Sequence, residues 1–335
     1  MKASYLSGPN EATKVESLTL RRRPSMIFCL KLALTAVVLC LLVGQLSLRH
    51  LVSVVCSARG TLLFAAAWPT VALVLIKPLR WRWLLRAVLP GITYGVALRS
   101  MLVAAGARLL LPSKAGEFAR VLEVPGLPVT TGVGLTALDL LMDVVGGCLV
   151  AVPGAYLLWG RPGAAVLTAL AAASGALLLR PRAFLGLAGR LPGLGGMSNR
   201  LEGARQVFDA LGPGVLWGGL ALGLGLNGLR FGQLYLLLGA LQTWCGLDTI
   251  VLFPVVQLAD GFPLTVGGIG VREWLALHVL RGPGLTAESV VAAIVLQNVI
   301  SNLLPGVPGW WLFFAGRSWE QVRGGRAGTR ARDRT

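Results

Sequence analysis

The sequence is poor in charge, in histidine and in acids. Only 13% of its 335 residues are Asp, Glu, Lys or Arg, about half the ~25% of an ordinary soluble domain, which excludes water as the solvent for most of the chain. His50 and His278 are the only histidines, and Cys29, Cys40, Cys56, Cys148 and Cys245 lack the paired spacing of a zinc or redox centre. No metal and no cofactor is expected, and the cysteines read as small hydrophobes. A cleavable leader is also missing. The apolar stretch Met26 to Leu48 follows Arg21, Arg22 and Arg23, but it is too long for a secretory signal and no small-x-small site follows it. The sequence before Cys56 lacks the small residue of a lipoprotein signal.

Apolar length is what the chain has in quantity. With 55% apolar residues and a mean hydropathy of +0.72, it offers stretches of about 20 apolar residues, enough to cross a hydrocarbon core, almost end to end from Met26 to Ala315. The expectation is an all-α fold: a polytopic transmembrane helical bundle of about 8 spanning helices with two re-entrant elements broken by Gly and Pro. Residues 1–25 read as a basic cytoplasmic tail, 26–316 as a single transmembrane domain and 317–335 as a basic disordered tail. The formal charge of +17, from 31 Lys+Arg against 14 Asp+Glu, would suggest nucleic acid in a soluble protein. Here much of it flanks apolar segments, where it sets topology and meets anionic lipid, so membrane lipids are expected partners and nucleic acid is not.

Predicted spans lie near 26–48, 60–77, 84–104, 130–158, 163–180, 213–241 and 288–315, with a broken element at 247–282. The basic residues Lys77, Arg80, Arg82 and Arg86 fit a cytoplasmic turn. The 108–120 stretch is too polar to span, and 200–211 fits a short amphipathic surface helix. Eight crossings put both termini in the cytoplasm. The same count puts the basic 180–212 stretch on the opposite side, against the positive-inside rule.

An ionisable side chain at the bilayer centre costs at least ~2.5–3.5 kcal/mol on insertion scales, so each one in an apolar segment calls for a partner or a water-filled cavity. One cluster holds Arg99, Arg108, Lys114, Glu117 and Arg120; a second holds Asp260, Arg272 and Glu273. Asp139 and Asp143, four residues apart, share one helical face and need nearby cations, for which Arg120 and Arg230 are candidates. A salt-bridge lattice between helices and a polar wall along a lipid or proton path both fit these aspartates.

The two broken elements echo each other. Each runs from proline (Pro112; Pro263) through glycine (Gly116; Gly267, Gly268, Gly270) to a glutamate with arginine close by (Glu117 and Arg120; Arg272 and Glu273). Irregular backbone at membrane depth survives only where protein or water satisfies it, and paired interrupted segments mark transport sites in repeat-built transporters. Glycine there frees N–H groups to face an anion, and arginine's planar fork suits phosphate. Bracing of the hairpin alone is the competing reading for Arg272 and Glu273.

The strings Leu-Pro-Ser-Lys-Ala-Gly-Glu-Phe-Ala-Arg (111–120), Leu-Asp-Leu-Leu-Met-Asp (138–143) and Phe-Pro-Leu-Thr-Val-Gly-Gly-Ile-Gly-Val-Arg-Glu (262–273) resemble, in this order, the transmembrane region of lysylphosphatidylglycerol synthase. This is also called the flippase-like integral membrane family. The resemblance runs from about 26 to 316 and is most specific in the last string; the first departs from the commoner form in its Pro-Ser-Lys. It implies a bundle with two re-entrant elements around a central cavity in a prokaryotic cytoplasmic membrane, with phospholipid translocation between leaflets. Gly116, Glu117 and Arg120 take the first-motif positions, and Pro263, Gly267, Gly268, Gly270, Arg272 and Glu273 the second. Relatives that make lysylphosphatidylglycerol carry a soluble aminoacyl-transferase domain after the membrane part. The present sequence has none, so aminoacylation by it is not expected.

The leading expectation is a lipid translocase, or a transporter of a lipid-linked anionic substrate such as a phospholipid or a polyprenyl phosphate. Its polar groove would comprise Arg99, Gly116, Glu117, Arg120, Asp139, Asp143, Arg230, Gly268, Gly270, Arg272 and Glu273. The alternatives are a polyprenyl-phosphate-dependent membrane glycosyltransferase and an accessory subunit of a lipid- or glycan-synthesis enzyme. The latter brings in a separately encoded enzyme as partner; a homo-oligomer is also compatible with the sequence.

Overall fold

The computed structural model describes residues 33–37, 40–41, 44, 46–110, 113–179, 211–243, 246–259, 270–280 and 285–332. The fold is all-α, and among these residues there is no strand. The helices are α1 (Leu48–Cys56), α2 (Gly60–Arg86), α3 (Tyr94–Leu110), α4 (Val129–Leu179), α5 (Pro213–Ala240), α6 (Leu247–Leu258), α7 (Val271–Val279) and α8 (Ala287–Arg332), with a 3-10 segment, Ser113–Glu123, between α3 and α4. Among the described residues three stretches are long and apolar enough to cross a membrane: Gly60–Arg86, Val129–Leu178 and Ala287–Ala315. The N-terminal tail, most of the first predicted helix and the 200–211 surface helix lie outside the described residues.

Several boundaries differ from expectation for identifiable reasons. α1 follows the first predicted span as a separate short helix, started by Ser47, whose Oγ accepts from the His50 N–H at 3.4 Å. α2 does not stop at the basic residues near 77 but runs through them to Arg86. The helix predicted over 84–104 does not exist as one piece. Pro90 and Gly91 sit in its middle, the ring of Pro90 removing an N–H donor, and the next helix starts at Tyr94. α8 continues to Arg332, into the stretch from 317 that was read as a disordered tail.

α4 contains a break at Gly160, whose φ of 66° and ψ of −153° are open to glycine alone without strain. The chain folds back there. Leu178 joins the same buried cluster as Leu135, whereas on one straight rod they would lie roughly 65 Å apart. Leu167 packs beside Ala151 and Ala155 on the near side of the break. Helices predicted over 130–158 and 163–180 are thus the two arms of one hairpin.

Two apolar clusters organise the interior. One gathers Trp81, Leu84, Leu135, Met142 and Leu216 from α2, α4 and α5; the other gathers Leu237, Phe253, Val256, Ala276 and Ile294 from α5 to α8. Lipid supplies no hydrophobic drive between helices, so close backbone approach through small residues takes its place. α3 and α8 meet this way. A methyl on Gly309 would overlap the Leu102 carbonyl, and one on Gly306 would come within 2.7 Å of Leu109 Cδ1. Large apolar side chains such as Phe64, Trp68, Val166 and Trp311 face outward, as they do where lipid is the solvent.

Candidate functional site: a charged lattice beside an intramembrane cavity

Continuation of α2 past Lys77 places its basic residues inside the bundle. Lys77, Arg80 and Leu84 recur at three and four residues, the spacing of one helical face, and that face meets Asp139 and Asp143 of α4. Arg80 is fully buried. Its Nε lies 2.6 Å from Asp139 Oδ1 and its Nη2 2.6 Å from Asp143 Oδ1. The two carboxylates, one turn apart, hold a single guanidinium between them. Glycines of α5 make room for it, for a methyl on Gly223 would approach Arg80 Nη1 to 3.1 Å.

Asp139 is also gripped from its other side. Arg120, fully buried in the 3-10 segment, donates from Nη1 to Asp139 Oδ2 at 2.8 Å and from Nε to Thr136 Oγ1 at 3.2 Å. The Trp81 ring lies 4.1 Å beneath the guanidinium, a cation–π contact that is strengthened by the absence of water. Glu117, one turn earlier, accepts from Arg108 Nη1 at 3.0 Å and lies 3.9 Å from Lys77 Nζ, which is itself 3.5 Å from Asp143. Four cations and three carboxylates thus form one connected lattice, the arrangement by which charges removed from water are made tolerable.

Gly116 has a role that spacing did not suggest. Its Cα faces the backbone of α3, and a methyl there would lie 2.5 Å from the Arg108 nitrogen and 2.7 Å from its Cα. The glycine lets the 3-10 segment lie against α3 so that Arg108 reaches Glu117.

The second broken element is built differently. Gly270 starts α7 with φ 95°, and its N–H donates to Glu273 Oε2 at 2.7 Å. Arg272 does not pair with the adjacent Glu273. It donates to Asn298 Oδ1 at 3.0 Å and to Gln297 Oε1, both on α8. Asn298 Nδ2 donates at 3.3 Å to Glu273 Oε1, and Gln297 Nε2 at 3.0 Å to the Arg230 carbonyl of α5. Among the described residues, neutral amides here stand where carboxylates stand in the first element. Asp260, Pro263, Gly267 and Gly268 lie outside the described residues.

Between the two elements lies a cavity of about 270 Å³, near the lower end of ordinary ligand pockets. Among the described residues its charged lining is Lys77, Arg108, Arg230 and Arg272 against Glu117 and Asp143, four cations to two carboxylates. Leu73, Val74, Leu140, Val144 and Phe231 supply an apolar wall. Arg230 projects into this space without an ion pair or side-chain hydrogen bond among the described residues. Among those residues no three His, Cys, Asp or Glu side chains converge as metal ligands would.

Of the residues singled out from sequence, Arg108, Glu117, Asp143, Arg230 and Arg272 line the cavity. Asp139 and Arg120 are buried in the lattice behind it, and Gly116, Gly270 and Glu273 shape the two elements. Arg99 does not line this cavity. Its Nε pairs at 3.1 Å with Glu123, and its side chain is half exposed. Sequence reasoning missed Lys77 and Arg80 as site residues, although their helical spacing, continuing the α2 pattern, was the available signal. It also missed the amides Gln257, Gln297, Asn298 and Asn302, which line the cavity and have no charge to announce them.

Fold and site together define a multi-pass membrane protein with a polar, net cationic cavity between interrupted elements. The family model described as "Lysylphosphatidylglycerol synthase TM region" matches residues 28–309, and the chain belongs to that family. No protein of curated function matches it.

Proposed function

We propose that this protein translocates a lipid with an anionic headgroup, or a lipid-linked anionic substrate, through the cavity between its two interrupted elements. The observation that carries the reading is the lining itself: among the described residues, a net positive, partly apolar cavity inside a membrane protein, in which the Arg230 guanidinium makes no side-chain hydrogen bond. A headgroup phosphate replaces part of its hydration with arginine donors, while acyl chains remain in lipid. The volume of about 270 Å³ suits a headgroup and not a whole phospholipid. A glycosyltransferase needs a carboxylate free to act as base, and Asp139 and Asp143 are both held by Arg80, which favours the transport reading.

The test is reconstitution of the full chain into liposomes with fluorescent phosphatidylglycerol, with loss of signal to an external quencher as readout. Translocation faster than in protein-free liposomes is expected. Equal rates, for phosphatidylglycerol and for polyprenyl phosphate alike, would overturn the proposal.

A further inference from the structure

Two buried glutamines cross-link the helices around the cavity, and they hold different things. Gln233 of α5 is fully buried. Its Nε2 donates to Thr70 Oγ1 of α2 at 2.8 Å, and its Oε1 accepts from Ser301 Oγ of α8 at 3.2 Å. Both partners are hydroxyls, so this bridge joins three helices without touching a charge. Gln297 of α8, also buried, meets an arginine at each end. Its Oε1 accepts from Arg272 Nη2 of α7, and its Nε2 donates at 3.0 Å to the main-chain carbonyl of Arg230 on α5. Arg230, Arg272 and Gln297 all line the cavity, whereas Gln233 does not.

The chemistry of the partners fixes which way the Gln297 amide points. A guanidinium offers only donors and a carbonyl only acceptors, so the amide oxygen must face Arg272 and the nitrogen Arg230. Turning it over would set N–H against N–H and oxygen against oxygen. Arg272 is steadied further by Asn298 Oδ1, which accepts from its Nη1 at 3.0 Å, and by the Phe253 ring of α6, 5.8 Å from the guanidinium carbon. One side chain therefore sets how far the main chain that carries Arg230 stands from the Arg272 guanidinium. Being neutral, it adds no negative charge of its own to either arginine.

We propose that Gln297 is a positioning residue: it sets the spacing of Arg230 and Arg272, and through that spacing the grip of the cavity on an anionic headgroup. The inference rests on the translocation reading of the same cavity and adds to it the regulation of its geometry by an uncharged residue. A fixed spacing has value only while both arginines are present. Positioning therefore couples the effect of Gln297 to Arg230, and plain cross-linking of helices does not.

The experiment is a double-mutant cycle of Gln297→Met and Arg230→Gln in the detergent-solubilised full chain. Dissociation constants for dihexanoyl phosphatidylglycerol and melting temperatures are measured together. Gln297→Met should weaken binding about three- to tenfold, the range of one hydrogen bond, when Arg230 is present. In the Arg230→Gln background the same substitution should cost less than about twofold. Gln233→Met is the comparison. It should lower the melting temperature at least as much as Gln297→Met and leave the affinity within about twofold of wild type. If Gln297→Met does not fold, Gln297→Asn, one methylene too short to reach both partners, takes its place in the cycle with the same expectation.

An equal loss in both backgrounds, an affinity unchanged by substitution at 297, or the same loss of affinity from Gln233→Met overturns the inference and leaves Gln297 a cross-link. The parent proposal fails separately. Binding with the expected coupling but no translocation in liposomes removes the translocase and keeps the positioning role, whereas wild-type protein that binds neither phosphatidylglycerol nor a polyprenyl phosphate removes both.

Discussion

The two interrupted elements resemble each other in sequence and differ in how they handle charge. In the first, cations and carboxylates pair with one another: Arg120 and Arg80 with Asp139, Arg80 and Lys77 with Asp143, Arg108 and Lys77 with Glu117. In the second, Arg272 and Glu273 meet neutral amides of α8, and Arg230 across the cavity stays uncommitted among the described residues. The difference teaches that the same glycine-and-charge pattern is braced by ion pairs on one side of the cavity and by neutral amides on the other, and on the proposed function the second side is the one that meets the substrate. Charges that are already paired with one another have less left to offer a ligand.

This contrast can be broken by substitution. The largest effect is expected in the scaffold. Asp139→Leu leaves Arg80 and Arg120 buried without their shared carboxylate and should cost about 3–5 kcal/mol, seen as a large drop in the melting temperature of the solubilised protein. A melting temperature close to wild type would mean that the lattice is not what holds α2, α4 and the 3-10 segment together. Next is Gly116→Ala, which forces the 3-10 segment off α3. A loss of about 1–3 kcal/mol is expected in the same assay, and an unchanged melt would show that the close approach is not needed.

Gly270→Ala tests the second element. An alanine at φ 95° is strained by about 1–3 kcal/mol, here at the start of a nine-residue helix. Local opening should exceed global loss, so hydrogen exchange at the amides of α7 is the measurement, with faster exchange expected there than in α2. The smallest effect belongs to Arg99→Gln. A half-exposed pair with Glu123 contributes about 0–1 kcal/mol, so neither melting nor transport should change. A transport defect would return Arg99 to the site.

The fold class was legible because hydropathy and low charge leave one solvent, and α5, which spans Pro213–Ala240, follows the apolar stretch almost residue for residue. The hairpin in α4 was legible from two apolar runs around Gly160 and Pro162. Arg80 was not, because a basic residue at the end of an apolar run has two physical readings, a cytoplasmic anchor and a buried counter-ion. Sequence alone does not say which carboxylates lie across from it. The partners of Arg272 were hidden for a related reason. Neighbours along a helix point about 100° apart, so adjacency in sequence argues against contact, while the true partners, Gln297 and Asn298, come from another helix. Gly116 was read as a source of free N–H groups for an anion, but its surroundings make it a point of close packing.

The division between scaffold and binding surface meets its most direct test in proteoliposomes carrying wild-type, Arg230→Gln or Arg99→Gln protein at equal density, assayed for movement of phosphatidylglycerol. Both residues are cations singled out in the same sequence, but only Arg230 lines the cavity. The account predicts that Arg230→Gln lowers the rate about tenfold or more at a melting temperature near wild type, while Arg99→Gln moves lipid at the wild-type rate. Equal rates for all three proteins would contradict it.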